Sequence, residues 1–193
     1  MMKKYILMLV LAFAGLQLRA QTGLNKGDDA PVFSTTDNAG KAVDLKALLK
    51  AHKSVVLFFY RGEWCPYCNK HIAQLQDSLQ LLSARGAYVI AVTPETKEGI
   101  GKTVQKTLAS FSIVQDKGYT IMKDYKVNYV LDDATVAKYK GFGLDLNVSN
   151  GNTDHVLPVP ATYVINQSGK IAFVHFNKDY TRRASISDIM RAL

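Results

Sequence analysis

Two hydrophobic runs organise the chain. Ser54–Tyr60 (SVVLFFY) and Ala87–Thr93 (AYVIAVT) are rich in β-formers and lack polar alternation, which predicts strands buried on both faces. Between them, Ile72, Leu75, Leu79 and Leu82 recur at helical spacing before Gly86, predicting a helix over Cys65–Arg85. Leu45–Leu49 reads as a short helical turn, Lys97–Ser110 as a helix and Phe111–Val114 as a short strand. Thr120–Val127 and Ala134–Lys140 read as helical. Ala161–Ile165 and Ile171–Phe176 flank Gln167-Ser-Gly-Lys170 and predict an antiparallel hairpin. Ser185, with Asp188 three residues on, caps a closing helix over Ser185–Leu193. Gln21–Ala30 reads as a loose lead-in, and Asn147–Pro160 as loop. Strand–helix–strand–helix followed by a late hairpin predicts an α/β sandwich. Its central sheet is mixed: parallel strands joined by right-handed crossovers, with an antiparallel edge. A reactive group belongs where strands end and helices begin.

Composition narrows this further. The 193 residues are 48% hydrophobic and 21% charged, as expected of one ordinary globular domain and not of a disordered or collagen-like chain. The net charge is +8, but Lys3, Lys4 and Arg19 lie in the first 20 residues and the other basic residues are scattered. No basic patch with aromatic or helical context stands out, so a nucleic-acid partner is not expected. Met1-Met2-Lys3-Lys4 followed by an uncharged run from Tyr5 to Leu18 and a small residue at Ala20 has the order of a secretory signal peptide. Residues 1–20 are therefore expected to be removed. Residues 21–193 would form the exported domain, periplasmic in a Gram-negative source and otherwise secreted. The apolar run is too short to favour a membrane span, and no later run is long enough.

The chemistry is concentrated in Cys65-Pro66-Tyr67-Cys68, which holds both cysteines of the chain. A thiol at a helix N-terminus faces unpaired backbone N–H groups and the positive end of the helix dipole, which favour its thiolate. Cys65 is then the nucleophile, and Cys68, one turn further in and less exposed, resolves the mixed disulfide. Arg61 adds positive charge nearby, and Glu63 is a candidate proton carrier. A purely structural disulfide would constrain too short a loop to stabilise much. Two thiolates make half a zinc site with no second pair in sight, so neither metal nor cofactor is expected.

Glu63-Trp64-Cys65-Pro66-Tyr67-Cys68 after a buried strand resembles the thioredoxin superfamily. The resemblance implies a thioredoxin-like three-layer sandwich. It also implies a substrate groove lined by Trp64, Pro66, Tyr67, Val159 and Pro160, with a cis bond before Pro160. A longer resemblance joins Gly27-Asp-Asp-Ala-Pro31, Phe33, Gly40-Lys-Ala-Val43, Phe58-Phe-Tyr60 and the ending His175–Arg183 to the peroxiredoxin-like branch of the alkyl hydroperoxide reductase/thiol-specific antioxidant family. Against that family's P-x-x-x-T-x-x-C, Cys68 takes the peroxidatic position, Cys65 the threonine and Arg61 the proline. Pro160 lies nearest to the position of the family's distant arginine, which the alignment therefore leaves vacant. Thioredoxin's buried acid is Phe59 here. Thiol–disulfide exchange with protein dithiols or disulfides is thus the leading reading. A thiol-dependent peroxidase with Cys68 peroxidatic and Cys65 resolving is the alternative. A binding domain with a permanently closed disulfide is the third.

Overall fold

The computed structural model describes residues 22–193; the predicted signal peptide lies outside the described residues. The first half of the chain forms β1 (Ser34–Thr36), β2 (Ala42–Asp44), α1 (Leu45–Ala51), β3 (Ser54–Phe59), α2 (Pro66–Asp77), α3 (Leu79–Ala84), β4 (Ala87–Thr93), α4 (Lys97–Thr107) and β5 (Ser112–Gln115). There follow α5 (Thr120–Asp124), β6 (Asn128–Val130), α6 (Asp133–Gly141), α7 (Leu146–Asn150), β7 (Val156–Pro158), β8 (Ala161–Asn166), β9 (Ile171–Phe176) and α8 (Ile186–Arg191). The central sheet runs β5-β4-β3-β8-β9. Strands β3, β4 and β5 are parallel; β8 is antiparallel to β3, and β9 to β8. This is the mixed α/β sandwich that the hydrophobic pattern predicts.

The continuous apolar runs are explained by the two cores. Along β3, Val55, Leu57 and Phe59 pack on one face with α1, α5 and the N-terminal segment. Val56, Phe58 and Tyr60 pack on the other with Ile72 and Leu75 of α2, Leu82 of α3, Ile100 of α4 and Ile189 of α8. A strand covered on both faces has no solvent side on which to place polar residues. The cysteine pair belongs to this second core. Tyr60 ends the strand run with its amide donating to Val92 O (3.0 Å), and the chain then turns beyond the C-terminal end of this central strand into α2.

Four local expectations change. The helix over Cys65–Arg85 is interrupted at Ser78 (φ −96°, ψ 0°), so α2 and α3 are separate although the apolar stripe continues across them. The expected helix over Thr120–Val127 stops at Asp124, and Val127 leads into β6. The Asn147–Pro160 loop contains α7 and β7. Asp145 caps α7 by accepting from Asn147 N (2.9 Å), and Val156 and Leu157 are buried where β7 pairs with β6. Both elements are too short to show a period. The lead-in, finally, is tied down from its ends. Gly27 N donates to Ile171 O (2.8 Å), Ile171 N to Asp28 O (3.0 Å) and Ala30 N to Gly169 O (2.9 Å), while Leu24 enters the core. Backbone pairing alongside the β8–β9 turn, which leaves no side-chain pattern, holds this polar segment.

The Val159–Pro160 bond is trans, since the described residues contain no cis peptide. Val159 N donates to Val127 O (2.7 Å) while the chain passes extended from β7 into β8. No tight turn there requires the less favourable cis isomer.

Candidate active site

Cys65 caps α2. Its sulfur accepts from Cys68 N at 3.3 Å, and Pro66 begins the helix, where a missing N–H costs nothing. The turn ahead of it, Arg61-Gly62-Glu63-Trp64, folds back tightly. A Cβ on Gly62 would lie 2.4 Å from the Trp64 indole nitrogen, so only glycine lets the ring lie there. That nitrogen donates to Ser149 Oγ (3.1 Å), and the ring packs on Tyr139 at 5.6 Å.

Arg61 is buried at 3% exposure. Its Nη2 donates to Cys65 Sγ (3.5 Å) and its Nη1 to Tyr139 Oη (3.1 Å). The guanidinium lies 3.8 Å from the centre of the Tyr180 ring and 5.0 Å from that of Trp64. A second arginine reaches the other sulfur: Arg183 Nη2 donates to Cys68 Sγ at 3.4 Å. Each sulfur thus has its own guanidinium donor, one from the turn after β3 and one from the segment before α8. Sequence reasoning missed Arg183 as a site residue. It lies 115 positions from Cys68, and although the His175–Arg183 ending carries the family resemblance, nothing local marks the arginine as a partner of the sulfur.

Both cysteines are free thiols and both are buried, Cys65 at 0% and Cys68 at 1%. The expectation of a more exposed Cys65 fails because Arg61 and its aromatic stack cover it. Chemically the two differ sharply. The Cys68 thiol donates toward Cys65, and this with the Arg61 charge and hydrogen bond overcomes burial and brings Cys65 down to about 5. Burial, and then the neighbouring Cys65, push Cys68 well above the usual thiol range, against the pull of Arg183. Burial pulls the Arg61 guanidinium toward neutrality, but the Cys65 charge more than offsets it and raises its pKa. The two shifts run in opposite directions, favouring the thiolate at Cys65 and the thiol at Cys68.

The remaining sequence-selected residues separate into two places. Trp64, Pro66 and Tyr67 line an open cleft of about 430 Å³ with Arg61, Tyr139, Leu144 and Tyr180. Val159 and Pro160 instead line a distinct small cavity with Tyr129 and Lys178. Glu63 also lines the first cleft, with its carboxylate in an ion pair with Lys106 of α4. Among the described residues, no cluster of three His, Cys, Asp or Glu side chains could hold a metal, and no helix is long and apolar enough to cross a membrane.

His71, one turn beyond Cys68, is buried against Phe58 with Nε2 unpaired. Burial, followed by Arg183 and His175, lowers it to about 3. The unfolded chain therefore binds this proton first, so stability is full above about pH 6.5 and falls as the pH drops toward 3. Going from pH 7 to pH 4 should cost on the order of 3 kcal/mol through this residue. Cys65 also loses its share of stability as pH falls through about 5. The check is therefore the difference between wild type and His71→Leu in denaturant unfolding at each pH. Parallel curves would sink the assignment.

A strand-to-helix junction bearing an activated thiolate, a protonated partner thiol and two arginines defines a thiol-based oxidoreductase. Comparison with sequence profiles of known families matches residues 26–174 to the AhpC/TSA family, and the chain belongs to it. Among curated relatives, the chloroplastic peroxiredoxin Q of Sedum lineare is 24% identical over 170 residues, covering 88% of this chain and 78% of that protein. Peroxiredoxin Bcp of Escherichia coli is 26% identical over 104 residues, covering 54% and 65%. The crystal structure of peroxidoxin BcpB from Mycobacterium tuberculosis superposes with a TM-score of 0.64 at 18% identity, covering 86% of this chain and 90% of that one. A putative thiol:disulfide interchange protein DsbE from Chlorobium tepidum gives 0.57 at 20% identity, covering 88% and 98%. The fold is thioredoxin-like, of the kind found in peroxiredoxins.

Proposed function

We propose that this protein is a thiol-dependent peroxidase whose Cys65–Cys68 pair is oxidised to a disulfide by peroxide and reduced again by an external dithiol. The observation that carries the reading is the arginine at each sulfur. Two guanidinium groups inside a water-poor site are suited to hold a peroxide and to stabilise the oxygen that leaves with negative charge. Relatives named as peroxiredoxins support this alternative over the exchange reading that the sequence placed first.

In the proposed cycle the Cys65 thiolate attacks one peroxide oxygen. The O–O bond breaks, Cys65 becomes a sulfenic acid, and the leaving hydroxide takes a proton to become water. Loss of the Cys65 charge removes one of the two causes that raise Cys68, burial being the other and the larger, and Arg183 favours the thiolate that Cys68 forms as it gives up its proton. Cys68 attacks the Cys65 sulfur, forming the disulfide and releasing a second water. One peroxide thus consumes two thiols. The roles are reversed relative to those implied by the family's cysteine position, because Cys65 caps α2 and accepts from the buried Arg61, and both shifts favour its thiolate.

Stopped-flow mixing of the reduced protein with hydrogen peroxide, followed by Trp64 fluorescence, tests the reading. Oxidation orders of magnitude faster than for a free thiolate is expected, with one peroxide consumed per disulfide. A rate equal to that of a free thiol of matching pKa would return the site to thiol–disulfide exchange, for which a C-x-x-C at a helix N-terminus is also equipped. The proposal includes export, which the basic head and apolar run of residues 1–20 support.

A further inference from the structure

Glu95 lies just beyond β4, two residues before α4, yet its side chain is fully buried. Its two oxygens collect three donors from three parts of the chain. Oε2 accepts from Tyr60 Oη at the end of β3 (2.9 Å) and from Thr103 Oγ1 of α4 (3.2 Å). Oε1 accepts from the backbone N–H of Glu63, inside the turn that carries Arg61 and Trp64. A carboxylate withdrawn this far from water is tolerated only with its oxygens satisfied. The helix beside it also makes room: a Cβ on Gly99, in the first turn of α4, would lie 2.6 Å from Glu95 Cγ. A glycine inside a helix costs stability, so its presence here answers to the buried carboxylate.

The same turn is held at its other atoms. Asn69 Nδ2 donates to Glu63 O (2.7 Å), and Lys106 pairs with the Glu63 carboxylate. Lys106 and Asn69 are solvent-facing or lie on α2 itself. Glu95 is the anchor from the sheet.

We propose that Glu95 is a positioning residue: by accepting the Glu63 N–H it fixes the Arg61–Trp64 turn, and so holds the Arg61 guanidinium against Cys65. This rests on the reading of Cys65 as the reactive thiolate. The charged and titratable groups facing Cys65 are Arg61, Cys68 and Tyr129, so loosening the turn acts chiefly through Arg61.

The test is the pH dependence of iodoacetamide alkylation of Cys65 in the full reduced chain, located by mass spectrometry. It needs no peroxide, so its failure is distinct from failure of the peroxidase reading. Glu95→Ala should move the alkylation profile to higher pH and slow the reaction at pH 6 roughly tenfold, as the thiolate fraction falls. Glu95→Gln should keep the wild-type profile. Its amide oxygen can accept from Glu63, while its NH₂ donates to the Tyr60 and Thr103 hydroxyls, which accept as readily as they donate. Gly99→Ala, which crowds the carboxylate without removing it, should shift the profile in the same direction by less, and it decides the matter if Glu95→Ala does not fold. An unmoved profile in Glu95→Ala or, failing that, in Gly99→Ala, with only thermal stability reduced, would leave Glu95 a packing residue. A Gln variant that follows the Ala variant would overturn the hydrogen-bond account.

Discussion

Cys65→Ser should abolish rapid peroxide reduction, whereas Cys68→Ser should leave the first oxidation intact and stop at the sulfenic acid. The position of the thiolate decides between the two sulfurs. Cys65 at about 5 is thiolate throughout the neutral range, while burial and Cys65 itself hold Cys68 protonated. Reaction rate follows the thiolate fraction. With Cys68 alone and mostly protonated at pH 7, the second-order rate should fall by about 100-fold or more. In Cys68→Ser the attacking sulfur keeps Arg61, although it loses the thiol that donates to it, so a fall of about tenfold or less is expected. The product, a sulfenic acid with no partner, should be trapped by dimedone and seen as a single adduct on Cys65. The opposite pattern, a fast Cys65→Ser and an inert Cys68→Ser, would make Cys68 the attacking sulfur, as the family's peroxidatic position implies. Arg183 would then be the peroxide-binding arginine.

Arg61→Met is the second large effect. The substitution keeps an unbranched side chain in the aromatic stack and removes the charge. An opposite charge at this distance lowers a pKa by roughly 1–3 units, so Cys65 should rise to about 7. At pH 6 its thiolate fraction, and with it the alkylation rate, should fall roughly tenfold. Peroxide reduction should fall much further, by on the order of 1,000-fold, because a donor to the leaving oxygen is lost as well, worth about 100-fold alone. The ratio of the two losses is the informative quantity. If alkylation and peroxide oxidation decline in step across pH, Arg61 acts only by lowering the Cys65 pKa, and its proposed role toward the leaving oxygen is wrong.

These two experiments share a cause. The sulfurs are not exposed nucleophiles but lie under a cover built from distant segments. Tyr180 stacks on Arg61 and meets Tyr67 edge-on at 6.0 Å; Arg183, three residues later, donates to Cys68 and to the Tyr180 carbonyl. On the other side Tyr139 of α6 receives Arg61 and packs on Trp64. A small peroxide needs far less displacement of this cover than a folded protein client would, which accords with the peroxidase reading over exchange.

The sequence alone determined the sheet strands and the place of the chemistry. A run such as Val55–Tyr60 has no polar face, and its short length and β-branched and aromatic residues make it a strand covered on both sides. A C-x-x-C directly after it, with proline at the first helical position, puts a thiol at a helix N-terminus wherever the rest of the chain goes. These are local facts, written in residues that adjoin one another. Short elements such as α7 and β7 escaped because three to five residues cannot display a period, and the lead-in because its backbone bonds leave no side-chain signature.

The tertiary structure decided which cysteine carries the charge and what surrounds it. Arg183, Tyr139 and Glu95 lie 115, 78 and 32 positions from the residues they contact, and nothing in their own segments announces those contacts. Hydrogen bonds and ion pairs act over a few ångströms in space and are indifferent to separation along the chain. Helix placement alone favours a thiolate at Cys65, but its burial, its guanidinium partner and the protonated state of Cys68 exist only once the strands have paired and the loops have closed over them.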